Sequence, residues 1–227
     1  FNRSFWIKPV SWLFYGAFVL AGLWYAPRNI PLKLAKFEPA PPAVVQIDAG
    51  QWWNADWQQL PSRRNEFDDD QRWPLDVQLA GPLQPLREQL EAQGWRVQPQ
   101  AGWEQALLML DATPDTDDVP VLPATLDTHV ESLLLLRDGD APGEKYALRL
   151  WPAPAQLSPG GTPLWLGSAQ TLRYQRHFRL IGLWRPLRGV DPALNAVLQS
   201  LGDLPHRSEI HPDTHMPVLL TLTHALR

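Results

Sequence analysis

The stretch at residues 133–151, LLLLRDGDAPGEKYALRLW, decides the predicted fold because it contains two strand patterns separated by a turn. The first pattern is the apolar run Leu133–Leu136, which is typical of a strand in the centre of a sheet. In the second pattern Tyr146, Leu148 and Leu150 recur at every other position, as in a strand with one buried face. The Asp, Gly and Pro residues between them favour a turn. The stretch therefore predicts two strands joined by a turn.

Shorter patterns on both sides of this stretch complete the predicted domain. Leu75, Val77 and Leu79 alternate in a strand, and Asp191 opens a helix as its N-cap. The other predicted elements are helices at residues 85–93 and 103–110 and strands at residues 95–97, 163–169, 172–184 and 218–223. This order predicts that residues 74–227 form an α+β domain, in which a largely antiparallel sheet carries helices on one face.

An apolar segment without a charged residue precedes this domain, VSWLFYGAFVLAGLWYA at residues 10–26. At roughly 1.5 Å per residue it forms a helix of about 25 Å, close to the hydrocarbon thickness of a bilayer. Trp and Tyr residues near both ends are typical of membrane–water interfaces. The segment predicts a transmembrane helix that anchors the chain through residues 1–28. A buried core helix is the alternative, since a secretory signal would require a cleavage site that does not follow.

Residues 29–73 are predicted to connect this anchor to the domain. Prolines between residues 31 and 42 disfavour regular structure and predict a linker. Trp52, Trp53 and Trp57 then follow in a short amphipathic segment. That segment either lies on a membrane surface or packs on the domain. Packing is favoured, because the segment lacks the basic polar face expected of an interfacial helix.

The charges are segregated along the chain, although the net charge is only −4. Residues 1–36 and residues 145–190 contain basic residues and no acidic ones, and the stretch between them holds most of the acids. Such asymmetry bears on partners and on intramolecular ion pairs. The absence of cysteine excludes disulfides and thiolate chemistry. The acidic remainder of the chain contains no recognisable nucleic-acid module, so nucleic acid is not an expected partner.

The first candidate site lies in the acid-free block at residues 145–190. In an extended strand Arg173, His177 and Arg179 point to one side. Because Arg binds phosphate through two parallel hydrogen bonds, this face could bind a phosphate or an anionic lipid head group. Arg149 of the same block is included in the candidate set. The alternative is a solvated strand face whose arginines pair with acids of the same domain.

The second candidate site is the segment HPDTH at residues 211–215. The side chains of His211, Asp213 and His215 are suitable ligands for zinc or another divalent ion. With a metal ion bound there, the chain would be a metal-dependent hydrolase. The proline disfavours a helical arrangement of the two histidines, and no distant fourth ligand is implied. A polar loop is therefore the favoured interpretation, and no other cofactor is expected.

Several short motifs occur in an order that resembles the LssY C-terminal domain family. They are LRLW at residues 148–151, PLWLGSA at 163–169, PLDVQLAGPLQPLREQLEAQGWR at 74–96 and IHPD at 210–213. The family's segment after PLWLGSA is usually richer in histidine than the LRYQRHFRL found here. The resemblance covers most of the predicted domain.

The resemblance implies a location and partners but no catalytic residues. Members of the family are commonly the tail of DedA-type or type 2 phosphatidic-acid phosphatase membrane proteins. The phosphatase motifs are absent from this chain, which begins with Phe rather than Met and is therefore expected to be part of a longer polypeptide. The implied location is the bacterial inner membrane, with the domain in the periplasm. The implied partners are the lipid bilayer, anionic head groups and upstream membrane domains of the same polypeptide.

Three functions are therefore open from the sequence. The favoured one is a non-catalytic accessory domain, anchored in the membrane, of a protein that handles lipid phosphates. It would contact an anionic head group or its own membrane domain. The alternatives are a metal-dependent hydrolase at HPDTH and a purely structural interaction module.

Overall fold

A computed structural model describes residues 14–21, 24, 44–64, 73–99, 118–127, 129–177, 181–187 and 192–223. The chain divides into two compact units, Phe1–Ala43 and Val44–Arg227. In the first unit, residues 14–21 are helical. No helix within the described ranges is both long enough and apolar enough to cross a bilayer. The predicted transmembrane segment at residues 10–26 lies partly outside those ranges, so it stays a prediction.

The second unit is rich in strands and contains few helices, which confirms the predicted α+β class. Within the described ranges, the second unit has the helices α1 (Ala49–Asn54), α2 (Leu83–Ala92) and α3 (Pro192–Ser200), with a 3₁₀ turn at Asp56–Gln59. Its strands are β1 (Val45–Asp48), β2 (Arg63–Arg64), β3 (Trp73–Pro74), β4 (Val77–Ala80), β5 (Arg96–Val97), β6 (Thr125–Leu126), β7 (His129–Val130), β8 (Leu133–Asp138), β9 (Glu144–Ser158), β10 (Thr162–His177), β11 (Ile181–Pro186), β12 (His206–Ile210) and β13 (Pro217–Leu222).

Nine of the described strands form one sheet in the order β12-β13-β4-β10-β9-β8-β5, with β1 beside β9 and β11 beside β10. The sheet is largely antiparallel, as predicted, but β13 runs parallel to β4 and β1 runs parallel to β9. The centre of the sheet is the long hairpin of β9 and β10.

Strand β9 continues to Ser158, beyond residue 151 where the predicted stretch ends, although it contains Pro152 and Pro154. Proline cannot donate a ladder hydrogen bond, so it is tolerated where a strand has no neighbour on that side. The pairing of β9 with β8 stops at Leu150, and its pairing with β1 starts at Ala155. Pro152 and Pro154 therefore lie in the part of β9 that pairs with neither β8 nor β1. On this edge of β9 a missing N–H breaks no described ladder hydrogen bond.

Helices α2 and α3 cover one face of the sheet. One buried cluster joins the two helices to the sheet. It contains Leu86 and Leu90, which are four residues apart on α2, Val197 of α3, and Leu148 and Leu219 of the sheet. The predicted helix at residues 103–110 lies outside the described residues.

The opposite face is covered as well, by the segment that was predicted to be a connector. Trp52 of α1 and Trp57 of the 3₁₀ turn are buried with Trp151 and Leu220 of the sheet. The Nε1 of Trp52 donates to Oε1 of Gln78 at 3.1 Å, and the Gln78 amide nitrogen donates to the Trp57 carbonyl oxygen at 2.9 Å. The favoured interpretation, packing on the domain, is therefore confirmed for this segment. The compact unit begins at Val44 rather than at residue 74.

Gly167 lies where β4, β10 and β9 meet, and the space around its Cα is filled. A Cβ at this position would lie 2.7 Å from Cδ2 of Leu150, 3.0 Å from Cβ of Val77 and 3.1 Å from the carbonyl oxygen of Arg149. We expect Gly167→Ala to lower the free energy of unfolding by about 1–3 kcal/mol, because overpacking forces backbone or side-chain shifts. Urea denaturation measures this, and an unchanged midpoint at unchanged slope would contradict it.

Candidate anion-binding site

The basic block predicted from the sequence occupies β9, β10 and β11. Arg173 lies in the second half of β10, where its side chain is 52% exposed and forms an ion pair with Glu144 of β9. The two residues are directly opposite each other in the β9–β10 ladder. The predicted alternative, in which these arginines pair with acids of the same domain, therefore holds for Arg173.

His177 and Arg179 lie at the end of the same hairpin. The backbone of His177 closes β10 opposite Ile181 of β11. The His177 side chain and the whole of Arg179 lie outside the described part of the chain. The prediction that both share a face with Arg173 therefore stays a prediction.

Arg149 does not join this group, which corrects its place in the predicted set. It is five residues from Glu144 along β9, so its side chain lies on the opposite face of the sheet. There its Nη1 donates to Oε1 of Glu131 at 2.6 Å and its Nη2 donates to the Leu122 carbonyl oxygen at 2.9 Å. Both side chains of the ion pair are buried. Arg149 therefore holds loops against the sheet.

Sequence reasoning missed the residue that faces Arg173. Arg185 of β11 is paired directly with Arg173 of β10, so the two side chains lie on one face. Arg185 is exposed, and its side chain makes no ion pair or hydrogen bond to the residues that the structure describes. The signal available in the sequence was its membership of the acid-free block. The observed arrangement is a row of Glu144, Arg173 and Arg185 across three strands.

The neighbouring charged and titratable groups leave this row with an excess of positive charge. Lys145 lies on the other face, where its Nζ is 4.6 Å from the centre of the Trp184 ring. Tyr146 lies on the same face as Glu144 and is buried. Burial first, and then a hydrogen bond with Asp140, raise the pKa of the Tyr146 hydroxyl. Tyr146 is therefore neutral near pH 7, and Glu144 is the carboxylate that faces the two arginines.

The HPDTH segment forms the turn between β12 and β13. His211 is buried with its ring edge-on to Trp57, at 5.7 Å between ring centres. Its Nδ1 accepts a hydrogen bond from the Asp213 backbone N–H at 3.2 Å, and its carbonyl oxygen accepts one from the His215 N–H at 2.9 Å. Asp213 and His215 are exposed.

These contacts give the segment a structural role as a loop. Across the described ranges, no group of three or more His, Asp or Glu side chains could hold a metal ion. The predicted metal set of His211, Asp213 and His215 therefore has no support from this geometry.

Comparison with protein families finds a match for this chain. The family model described as LssY C-terminus matches residues 57–182, which is more than half of the chain. The match begins at Trp57 and ends in β11, so it includes Arg173 and excludes Arg185. No curated protein and no solved structure matches the chain.

Proposed function

The chain belongs to the LssY C-terminus family, and on that premise we propose that it is a membrane-anchored, non-catalytic accessory domain. Its parent would be a membrane protein that handles lipid phosphates, and its location the bacterial inner membrane with the domain in the periplasm. Its contacts would be an anionic lipid head group or the membrane part of its own polypeptide.

The observation that carries this proposal is the apolar surface of the helical residues 14–21. The exposed fractions of Phe14 and Phe18 are 75% and 79%, and Tyr15 and Leu20 are also mostly exposed. Contiguous apolar side chains in water are unfavourable and mark contact with a membrane or a protein. Residues 1–36 contain basic residues and no acidic ones, and this positive charge favours contact with a membrane surface that contains anionic lipid.

The non-catalytic part of the proposal is supported by what the reactive residue types do. Arg149 and Glu131 are used by their buried ion pair. The Oδ1 of Asp76 accepts a hydrogen bond from the Ala169 N–H at 2.8 Å and so satisfies a donor of β10. His211 stabilises a turn. Each of these contacts maintains the fold rather than preparing a nucleophile or a general base.

Flotation with neutral phosphatidylcholine vesicles tests the anchoring. We expect the full chain to float with the vesicles and the double variant Phe18→Arg, Leu20→Arg to stay in the aqueous fraction. Each Arg at the centre of a spanning helix opposes insertion by about 2.5–3.5 kcal/mol.

Ile210→Arg is the matched control, because Ile210 is a large apolar residue of the second unit that is 60% exposed. We expect this variant to float like the unaltered chain. Recovery of the unaltered chain in the aqueous fraction would refute the proposed anchoring.

A further inference from the structure

Building on the proposed contact with an anionic head group, we infer that Arg173 and Arg185 form a binding site for a phosphate group. The ligand class is a phosphate ester, whether it is a lipid head group or a soluble phosphate. The site lies on the exposed face of the β10–β11 hairpin and takes its second cation from a residue outside the predicted set.

The register of the hairpin supplies the first reason. Arg173 and Arg185 are directly opposite each other, and Cβ atoms of such pairs are about 4.5–5.5 Å apart. Like charges in this arrangement destabilise a strand pair, so folding alone does not favour it. Two guanidinium groups held this close can both reach the oxygens of one phosphate.

The balance of charge supplies the second reason. Glu144 is the carboxylate of the row, and its ion pair is with Arg173. The nearby Asp140 carboxylate is hydrogen-bonded to the Tyr146 hydroxyl. Arg185 has no charged partner in the described part of the chain and is exposed. A bound phosphate would neutralise this excess charge and remove the repulsion between the two arginines.

Another residue of β10 on the same face supplies a further hydrogen-bond donor. Gln175 lies two residues beyond Arg173, so its side chain is on the same face, and it is exposed. An amide N–H beside two guanidinium groups matches the several acceptor oxygens of a phosphate better than a single cation would. The arrangement therefore favours a phosphate over a simple carboxylate.

The test uses the full chain mixed with phosphatidylcholine vesicles and has two arms, the first of which does not require insertion. One arm titrates inorganic phosphate and glycerol 3-phosphate, and the other adds phosphatidic acid to the vesicles and follows the Gln175 and arginine side-chain NMR signals. We expect Arg185→Ala and Arg173→Ala each to weaken phosphate binding about ten-fold or more, because each removes a charge-assisted pair of hydrogen bonds. Binding in the first arm identifies a soluble ligand, and binding in the second arm alone identifies a lipid.

Arg96→Ala is the matched control. Arg96 is an exposed arginine of the same sheet that pairs with Asp138 at 3.2 Å, and we expect its replacement to leave phosphate binding unchanged. Arg185→Lys, which keeps the charge and loses the planar fork, should weaken binding while the fold is intact.

Stability separates a binding role of Arg185 from a structural one. We expect Arg185→Ala to leave the unfolding midpoint unchanged or raise it, because a repulsive pair is removed. A large loss of stability would overturn the site, as would the absence of phosphate binding in both arms. Flotation with pure phosphatidylcholine vesicles reports on anchoring alone, so failure of the site and failure of the proposed function give different results.

Discussion

Replacing Glu131 by Ala is expected to lower the free energy of unfolding by about 3–5 kcal/mol, because it removes one partner of the buried ion pair with Arg149. Glu131 is 4% exposed, its Oε1 accepts from Arg149 at 2.6 Å, and its Oε2 accepts from the Ala124 N–H at 2.7 Å. The substitution therefore removes the partner of a charge and of a backbone donor together. Urea denaturation followed by far-ultraviolet circular dichroism measures the loss.

Two further variants show that burial is the cause. Glu91→Ala breaks the exposed pair of Arg87 and Glu91 on α2 and should change stability by no more than about 0.5 kcal/mol. The double variant Glu131→Leu, Arg149→Met replaces both buried charges by apolar groups, and it should recover a large part of the loss. Equal losses in Glu131→Ala and Glu91→Ala would contradict the buried ion pair.

Replacing Trp52 by Ala is expected to destabilise the domain by about 3–5 kcal/mol, the range for removing a fully buried aromatic side chain. Trp52 is 0% exposed and packs against the face of the sheet that α2 and α3 leave uncovered. The substitution also removes the indole donor of the Gln78 amide oxygen. Thermal or urea unfolding of the full chain in neutral vesicles measures the change.

The adjacent tryptophan provides the control. Trp53 is half-buried, and the Cζ of Arg207 lies over its ring, 5.0 Å from the ring centre. Trp53→Ala should therefore cause a smaller loss than Trp52→Ala, because less apolar surface leaves the interior. If both variants lost the same small amount of stability, residues 44–60 would be peripheral and the domain would begin near residue 74.

The parts of the fold that the sequence predicted depend on local periodicity. Alternation of Tyr146, Leu148 and Leu150 placed β9 in a sheet with one face in the core, and the four-residue spacing of Leu86 and Leu90 placed α2 on that face. Both patterns are complete within a few residues, so no knowledge of distant neighbours was required.

The parts that the sequence could not predict depend on contacts between distant segments. The prolines near residue 40 made the following segment resemble a connector, yet β1 pairs with Ala155–Ser158, more than a hundred residues away. The length of β9 was hidden for a related reason. Its prolines are harmless because neither β8 nor β1 pairs with that part of the strand on the side opposite β10.

The candidate site shows the same division. The alternation of side chains along a strand placed Arg173 on an exposed face. The residue opposite Arg173 depends on the register of the β10–β11 hairpin, and that register brings Arg185 beside it. Arg149 belonged to the same basic block by sequence alone. Its position five residues from Glu144 turned it to the other face, where Glu131 was available.

The length of β9 and β10 affects how the second unit opens. Both strands extend from the apolar group around Trp52 to the apolar group around Trp184, so the β9–β10 ladder, whose register shifts between Pro163 and Trp165, connects the two groups. Melting at one end removes the support for the other, which makes partial opening unfavourable. The two ends should therefore exchange their ladder amide hydrogens in a single concerted event, as one foldon.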